Sequence, residues 1–303
     1  MQTAASLLAQ AAQRSIVLPD RGVELALLDW GGEGPIALLH HANGFCKGMW
    51  AQVAEGLRAD YRVVAIDARG QGDSPRPAGD PADVYAWDEF ALDLVAVAEQ
   101  LLAESGDPQI AVGIGHSFGG TSMLGAASRR PELFGRLVLV DPVTPPPPDQ
   151  EPPERPAHLN DLVGRALKRR ADWPSVEEAR EWWAERDFFA AWQPEALDLY
   201  ALDGLRERAD GSVELKCSPE VEAAVFNQSR GIDVRALARH TQTPCLWLWA
   251  KGGNFPLPFH QALVATMPEA RLEEVDAGHL VPMERPELIV EAVRGFVAGP
   301  EGS

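Results

Sequence analysis

An apolar run, Ile110-Ala111-Val112-Gly113-Ile114, leads into Gly115-His116-Ser117-Phe118-Gly119-Gly120 and then into a stretch that reads as helix. Strand, Gly-x-Ser-x-Gly and helix in that order describe a sharp turn that lifts a serine hydroxyl above the edge of a sheet. A serine held in a strained backbone region brings the residues two before and two after it together, so side chains there would clash. Gly115 and Gly119 occupy those two places. Ser117 is therefore the candidate nucleophile.

Two further stretches fit the same chemistry. His40-His41-Ala42-Asn43-Gly44-Phe45 follows the buried-strand run Ile36 to Leu39. A glycine-containing loop placed there can point N–H groups at a developing oxyanion. The Asn43 N–H, paired with that of Phe118, is the expected donor set. Asp276-Ala277-Gly278-His279-Leu280-Val281-Pro282 follows the strand-like run Arg271 to Val275. Of the seven histidines, His279 is the one that comes last, after the serine and the acid, and a base active near neutral pH is what the serine needs.

With Asp67-Ala68-Arg69-Gly70-Gln71-Gly72-Asp73-Ser74, which looks like an Asp-x-Arg-Gly-x-Gly-x-Ser turn after a fourth strand, these motifs span residues 36 to 286. The chain thus resembles the α/β-hydrolase superfamily, in its serine branch of small esterases and lipase-like proteins. The resemblance implies an α/β-hydrolase fold: a mostly parallel eight-stranded sheet flanked by helices, with a helical cap inserted after the sixth strand.

One feature departs from the family. Its triad acid usually sits in the loop after the seventh strand, here Ala250-Lys251-Gly252-Gly253-Asn254-Phe255-Pro256-Leu257-Pro258, which holds no carboxylate. A histidine base needs a partner that fixes its tautomer and steadies the imidazolium. Asp141 ends the run Leu137 to Val140, the expected sixth strand, and neighbouring strands lie only about 4.8 Å apart. Asp141 is the first choice, with Asn254 as a neutral orienter, Asp276 and a cap residue left open.

Composition suits a globular enzyme. The chain has 303 residues, 46% of them hydrophobic, and a formal charge of −18 with 27 basic against 45 acidic residues. Such acidity disfavours nucleic acid and anionic membranes as partners. Cys46, Cys217 and Cys245 are odd in number and widely spaced, which matches neither a disulfide framework nor a metal site and points to a reducing, cytoplasmic setting. The N-terminal stretch lacks a basic start and a sustained apolar centre, so it reads as a poor signal peptide.

Residues 1–144 and 241–303 form the expected core and 145–240 the cap. Pro145 to Pro148 and Pro152-Pro153 make a stiff connector, and beyond Ala157 the signals are helical: a capping box at Ser175 to Glu178 and helix-opening prolines at 194 and 219. Most of the cap's aromatic side chains serve its own core. Trp182 and Trp183 point about 100° apart on a helix, so at least one is expected in the pocket wall, together with Phe45.

The expected chemistry is ester hydrolysis through an acyl-enzyme on Ser117, His279 and Asp141, with no metal or organic cofactor and a small to medium hydrophobic ester as substrate. Lactone hydrolysis, carbon–carbon bond hydrolysis and cofactor-free perhydrolysis can use the same parts. A non-catalytic ligand receptor is the alternative of a different class, supported by the empty acid position. Oligomeric state is not legible.

Overall fold

The computed structural model describes residues 2–144 and 157–299. The proline-rich connector lies outside them. Eight strands form one sheet: β1 (Ala12–Leu18), β2 (Val23–Asp29), β3 (Ile36–His40), β4 (Arg62–Ile66), β5 (Val112–His116), β6 (Leu137–Val140), β10 (Cys245–Gly252) and β11 (Ala270–Gly278). Three short strands lie between β6 and β10: β7 (Asp172–Trp173), β8 (Leu205–Glu207) and β9 (Val213–Leu215).

The large sheet runs in the order β1-β2-β4-β3-β5-β6-β10-β11, and β2 alone runs opposite to the other seven strands. This is the expected eight-stranded architecture. The central strands are apolar on both faces, as a sheet covered by helices on each side requires. Alternation decides which side each residue serves: Ala37 and Leu39 join one apolar cluster, Ile36 and Leu38 the other. The helix Trp87–Ser105 packs over the second cluster through Phe90, Leu94, Val97 and Leu101, and Gly106 ends it in the left-handed region at φ 79°.

The segment between β6 and β10 is more than helical. Helices at Ala157–Leu167, Val176–Ala184, Pro194–Asp203, Pro219–Asn227 and Val234–His240 are joined by the antiparallel sheet β7-β9-β8. The anticipated helix starts are present. Ser175 Oγ accepts from Glu178 N at 3.2 Å, and Pro194 and Pro219 occupy first-turn positions. The three strands are two or three residues long, too short to leave an alternating pattern, and this is why the sequence reads as helix throughout. Among the described residues, no helix is long and apolar enough to cross a membrane.

Candidate active site

Ser117 sits between β5 and the helix Phe118–Arg129 with φ 55° and ψ −121°. Both flanking glycines are obligatory. A Cβ on Gly115 would lie 2.4 Å from Gly119 O, and one on Gly119 would lie 2.4 Å from His40 O. The second clash is with the end of β3 and, through His41 O at 2.5 Å, with the loop that follows, so Gly119 lets the elbow and that loop approach each other.

Among the described residues only two non-glycine residues have positive φ, Ser117 at 55° and Asp141 at 40°. Such backbone costs roughly 1–3 kcal/mol per residue and is retained where the surroundings dictate it. Asp141 follows β6 directly, and its N–H donates to Leu248 O on β10 at 2.8 Å. Its side chain is fully buried. Oδ1 accepts from Ala250 N at 3.1 Å and Oδ2 from His279 Nδ1 at 2.6 Å.

His279 Nε2 lies 2.9 Å from Ser117 Oγ. With Nδ1–H donated to Asp141, the Nε2 lone pair is free to accept the serine proton. The three side chains that the motifs single out therefore form one continuous hydrogen-bonded chain. Asn254 and Asp276, the other orienters considered, are both exposed and make no hydrogen bond to the imidazole. The loop after β10 still contributes, through an omission. A Cβ at Gly253 would stand 2.5 Å from Asp141 Oδ2, so the missing side chain is what admits a carboxylate from the neighbouring strand.

His116 is turned away from the serine. Its Nε2–H donates to His279 O at 2.8 Å, which ties the end of β11 to the end of β5. Burial and the neighbouring His279 hold its pKa down at about 3, so it stays neutral. His41 is neutral too, held at about 4 by burial; Nδ1–H donates to Ala42 O at 2.7 Å and Nε2 accepts from Ala68 N at 3.0 Å.

The N–H groups of Asn43 and Phe118 have no acceptor among the described residues. Phe118 follows Ser117 directly in the chain, and the strand end and loop that lead to Asn43 meet the elbow at Gly119, where a Cβ would touch His40 O and His41 O. Of the expected pocket residues, Phe45 packs against Trp192 and Tyr200, with ring centroids 5.7 and 5.5 Å apart. Trp183 is buried among Trp173, Phe189 and Tyr200. Trp182 lies under the Arg186 guanidinium, 3.5 Å from its ring centroid. The insert's own aromatic core thus claims both tryptophans, and neither makes a ring contact with the serine or histidine.

A group that sequence reasoning passed over anchors the insert to the core. Lys47 is buried, and its Nζ reaches Asp67 at 2.8 Å, Asp73 at 2.7 Å and Asp203 of the insert at 3.4 Å. Lys216 of the insert meets Asp73 at 2.8 Å. Burial raises Asp67 to about 6 in spite of Lys47 beside it. A lone lysine on an apolar stretch carries no sequence signal of this kind. Cys46, next to it, is fully buried and its thiol is pushed well up by burial, so it packs and does not react.

The family model for the alpha/beta hydrolase family matches residues 37–292. The chain belongs to the alpha/beta hydrolase family. A pimeloyl-[acyl-carrier protein] methyl ester esterase of Vibrio atlanticus is 33% identical over 109 residues, 36% of this chain and 37% of that one. The matches to the first curated relatives thus span well under half of their length. The uncharacterized hydrolase YugF of Bacillus subtilis aligns further, at 23% identity over 80% of this chain and 82% of that one. The solved structure of E-2-(acetamidomethylene)succinate hydrolase superposes with a TM-score of 0.78 at 19% identity, covering 95% of this chain and 100% of that one. At that identity it speaks for the fold.

Proposed function

We propose that this α/β hydrolase cleaves a carboxylic ester of a small to medium hydrophobic substrate through an acyl-enzyme on Ser117. The observation that carries the reading is the hydrogen-bonded series Ser117 Oγ, His279 and Asp141 at 2.9 and 2.6 Å. Ser117 Oγ attacks the carbonyl carbon while His279 Nε2 takes its proton, and the imidazolium passes that proton to the leaving alcohol. Asp141 steadies the imidazolium. The Asn43 and Phe118 N–H groups receive the oxyanion, where one such donor is worth roughly 3–4 kcal/mol. Water then enters by the same route in reverse and releases the acid.

Lactones and activated carbon–carbon bonds present the same electrophilic carbonyl, so the ester is the class proposed and not the individual substrate. The receptor alternative rested on a vacant acid position. Asp141 within hydrogen-bond distance of His279 removes that support. Three buried free cysteines among the described residues suit a reducing compartment, and we assign the enzyme to the cytoplasm on that ground.

A panel of chromogenic esters of increasing acyl length, together with a fluorophosphonate probe, tests the reading. Turnover and probe labelling are expected for the native chain and absent for Ser117→Ala. Labelling without turnover would favour the receptor, and no labelling would remove Ser117 as nucleophile.

A further inference from the structure

The Asn43–Gly44 segment is held from every side. Gly44 N donates to Gln71 Oε1 at 2.8 Å, and Gln71 Nε2 donates to Asn43 Oδ1 at 3.0 Å. Asn43 Nδ2 donates to Glu222 O at 3.0 Å. Gly44 O accepts from Tyr200 OH at 3.3 Å and from Arg169 Nη1 at 3.5 Å. Arg169 in turn pairs with the Glu222 carboxylate and donates to the Tyr200 oxygen. On the other side of Asn43, Ala42 O accepts from His41 Nδ1 at 2.7 Å, which polarises the peptide that carries the Asn43 N–H.

Three of these groups, Arg169, Tyr200 and Glu222, come from the insert, and Gln71 comes from the turn after β4. Gln71 is fully buried, Tyr200 nearly so, and Glu222 is 9% exposed. Their closeness to the loop is steric as well as polar. Gly44 has φ 86°, and a Cβ there would meet Glu222 Cδ at 2.8 Å and Arg169 Nη1 at 3.1 Å. The N–H and C=O of Gly44 and both polar atoms of the Asn43 side chain are engaged, while the Asn43 N–H has no acceptor among the described residues. An amide fixed this way is preorganised toward a charge that appears only in the transition state, which raises kcat with little effect on KM.

We propose that Gln71, from the core, and the Tyr200–Arg169–Glu222 cluster, from the insert, are positioning residues that aim the Asn43 N–H at the oxyanion. The insert is therefore a working part of the rate-determining machinery and not merely a cover over it. This rests on the serine-hydrolase reading above. Burial keeps Tyr200 protonated by raising its pKa, so its hydroxyl remains a donor to Gly44 O across the working pH range.

Tyr200→Phe removes one hydroxyl and keeps the ring, and Gln71→Met removes both amide bonds at similar volume. With a chromogenic ester, kcat is expected to fall about 10-fold in each, short of the 10²–10³-fold that follows outright loss of an oxyanion donor, while KM stays within about 2-fold. A boronic acid, which forms a tetrahedral adduct on the serine, should lose affinity in proportion to kcat/KM. Arg169→Lys, which keeps the charge, should retain more activity than Arg169→Met. Unchanged kcat in both Tyr200→Phe and Gln71→Met, or a fall in kcat with no loss of boronate affinity, would overturn the proposal. A native protein that neither takes up the fluorophosphonate nor turns over any ester overturns the serine-hydrolase reading itself.

Discussion

Gly253 shows how a residue can matter by being small. Its Cα faces the Asp141 carboxylate so closely that one methyl group would stand 2.5 Å from Oδ2, and the buried carboxylate has no room to retreat. Gly253→Ala is expected to lower kcat by about 10- to 100-fold, with folding retained as judged by circular dichroism, because the displaced acid orients His279 poorly. Asp141→Asn should cost about 10⁴-fold in kcat through the wrong imidazole tautomer, whereas Asn254→Ala should change it less than about 3-fold; the reverse ranking in steady-state assays would make the Asn254 amide the group that orients His279. Ser117 and His279 were legible because their motifs depend on local backbone and chain order. Asp141 was reached only by noticing an empty place. The surroundings of Trp182 and Trp183 were not legible, because side-chain direction on an insert helix is set by which aromatic neighbours it meets, and those come from elsewhere in the chain.

The elements around the site are joined by glycines that permit close approach. Gly119 brings the start of the helix Phe118–Arg129 against the backbone of His40 and His41, so the nucleophile and the donor loop share one contact. Gly119→Ala should destabilise the fold by about 3 kcal/mol or more, since both clashing atoms are backbone oxygens, and urea denaturation of the variant checks this. The parallel strands could be read as continuous apolar runs, and the helix Trp87–Ser105 from its spacing. β7, β8 and β9 could not, since strands this short owe their pairing to tertiary contact. Nor could the convergence of Gln71, Tyr200, Arg169 and Glu222 on Gly44, because partners 27 to 178 residues away in sequence leave no periodic trace.

Four histidines shape how the protein as a unit responds to acid. Burial holds His40 and His116 at about 3 and His41 and His260 at about 4, against about 6.5 in the unfolded chain. Between those values the unfolded chain binds more protons, so stability is intact above pH 6.5 and falls as pH drops toward 4. Asp67, raised to about 6, acts the other way: the folded state holds its proton between about pH 4 and 6, which offsets one of the four. The imidazoles outnumber the carboxyl that opposes them, so unfolding takes up protons on balance in this range and stability declines as pH falls. Urea midpoints measured at pH 7.5, 6.5 and 5.5 should fall slightly over the first interval and more steeply over the second; a level response throughout would refute buried neutral imidazoles.

The charges gathered at Lys47 carry an evolutionary consequence. Asp203 and Lys216 complete a knot whose other half, Lys47, Asp67 and Asp73, belongs to the core, so an insert without them would bury Lys47 and Asp67 beneath a surface lacking their complementary charges. Inserts on this scaffold are therefore not freely interchangeable modules: a graft taken from a relative must import matching ions at these two places, or the host must surrender its own lysine at the same time.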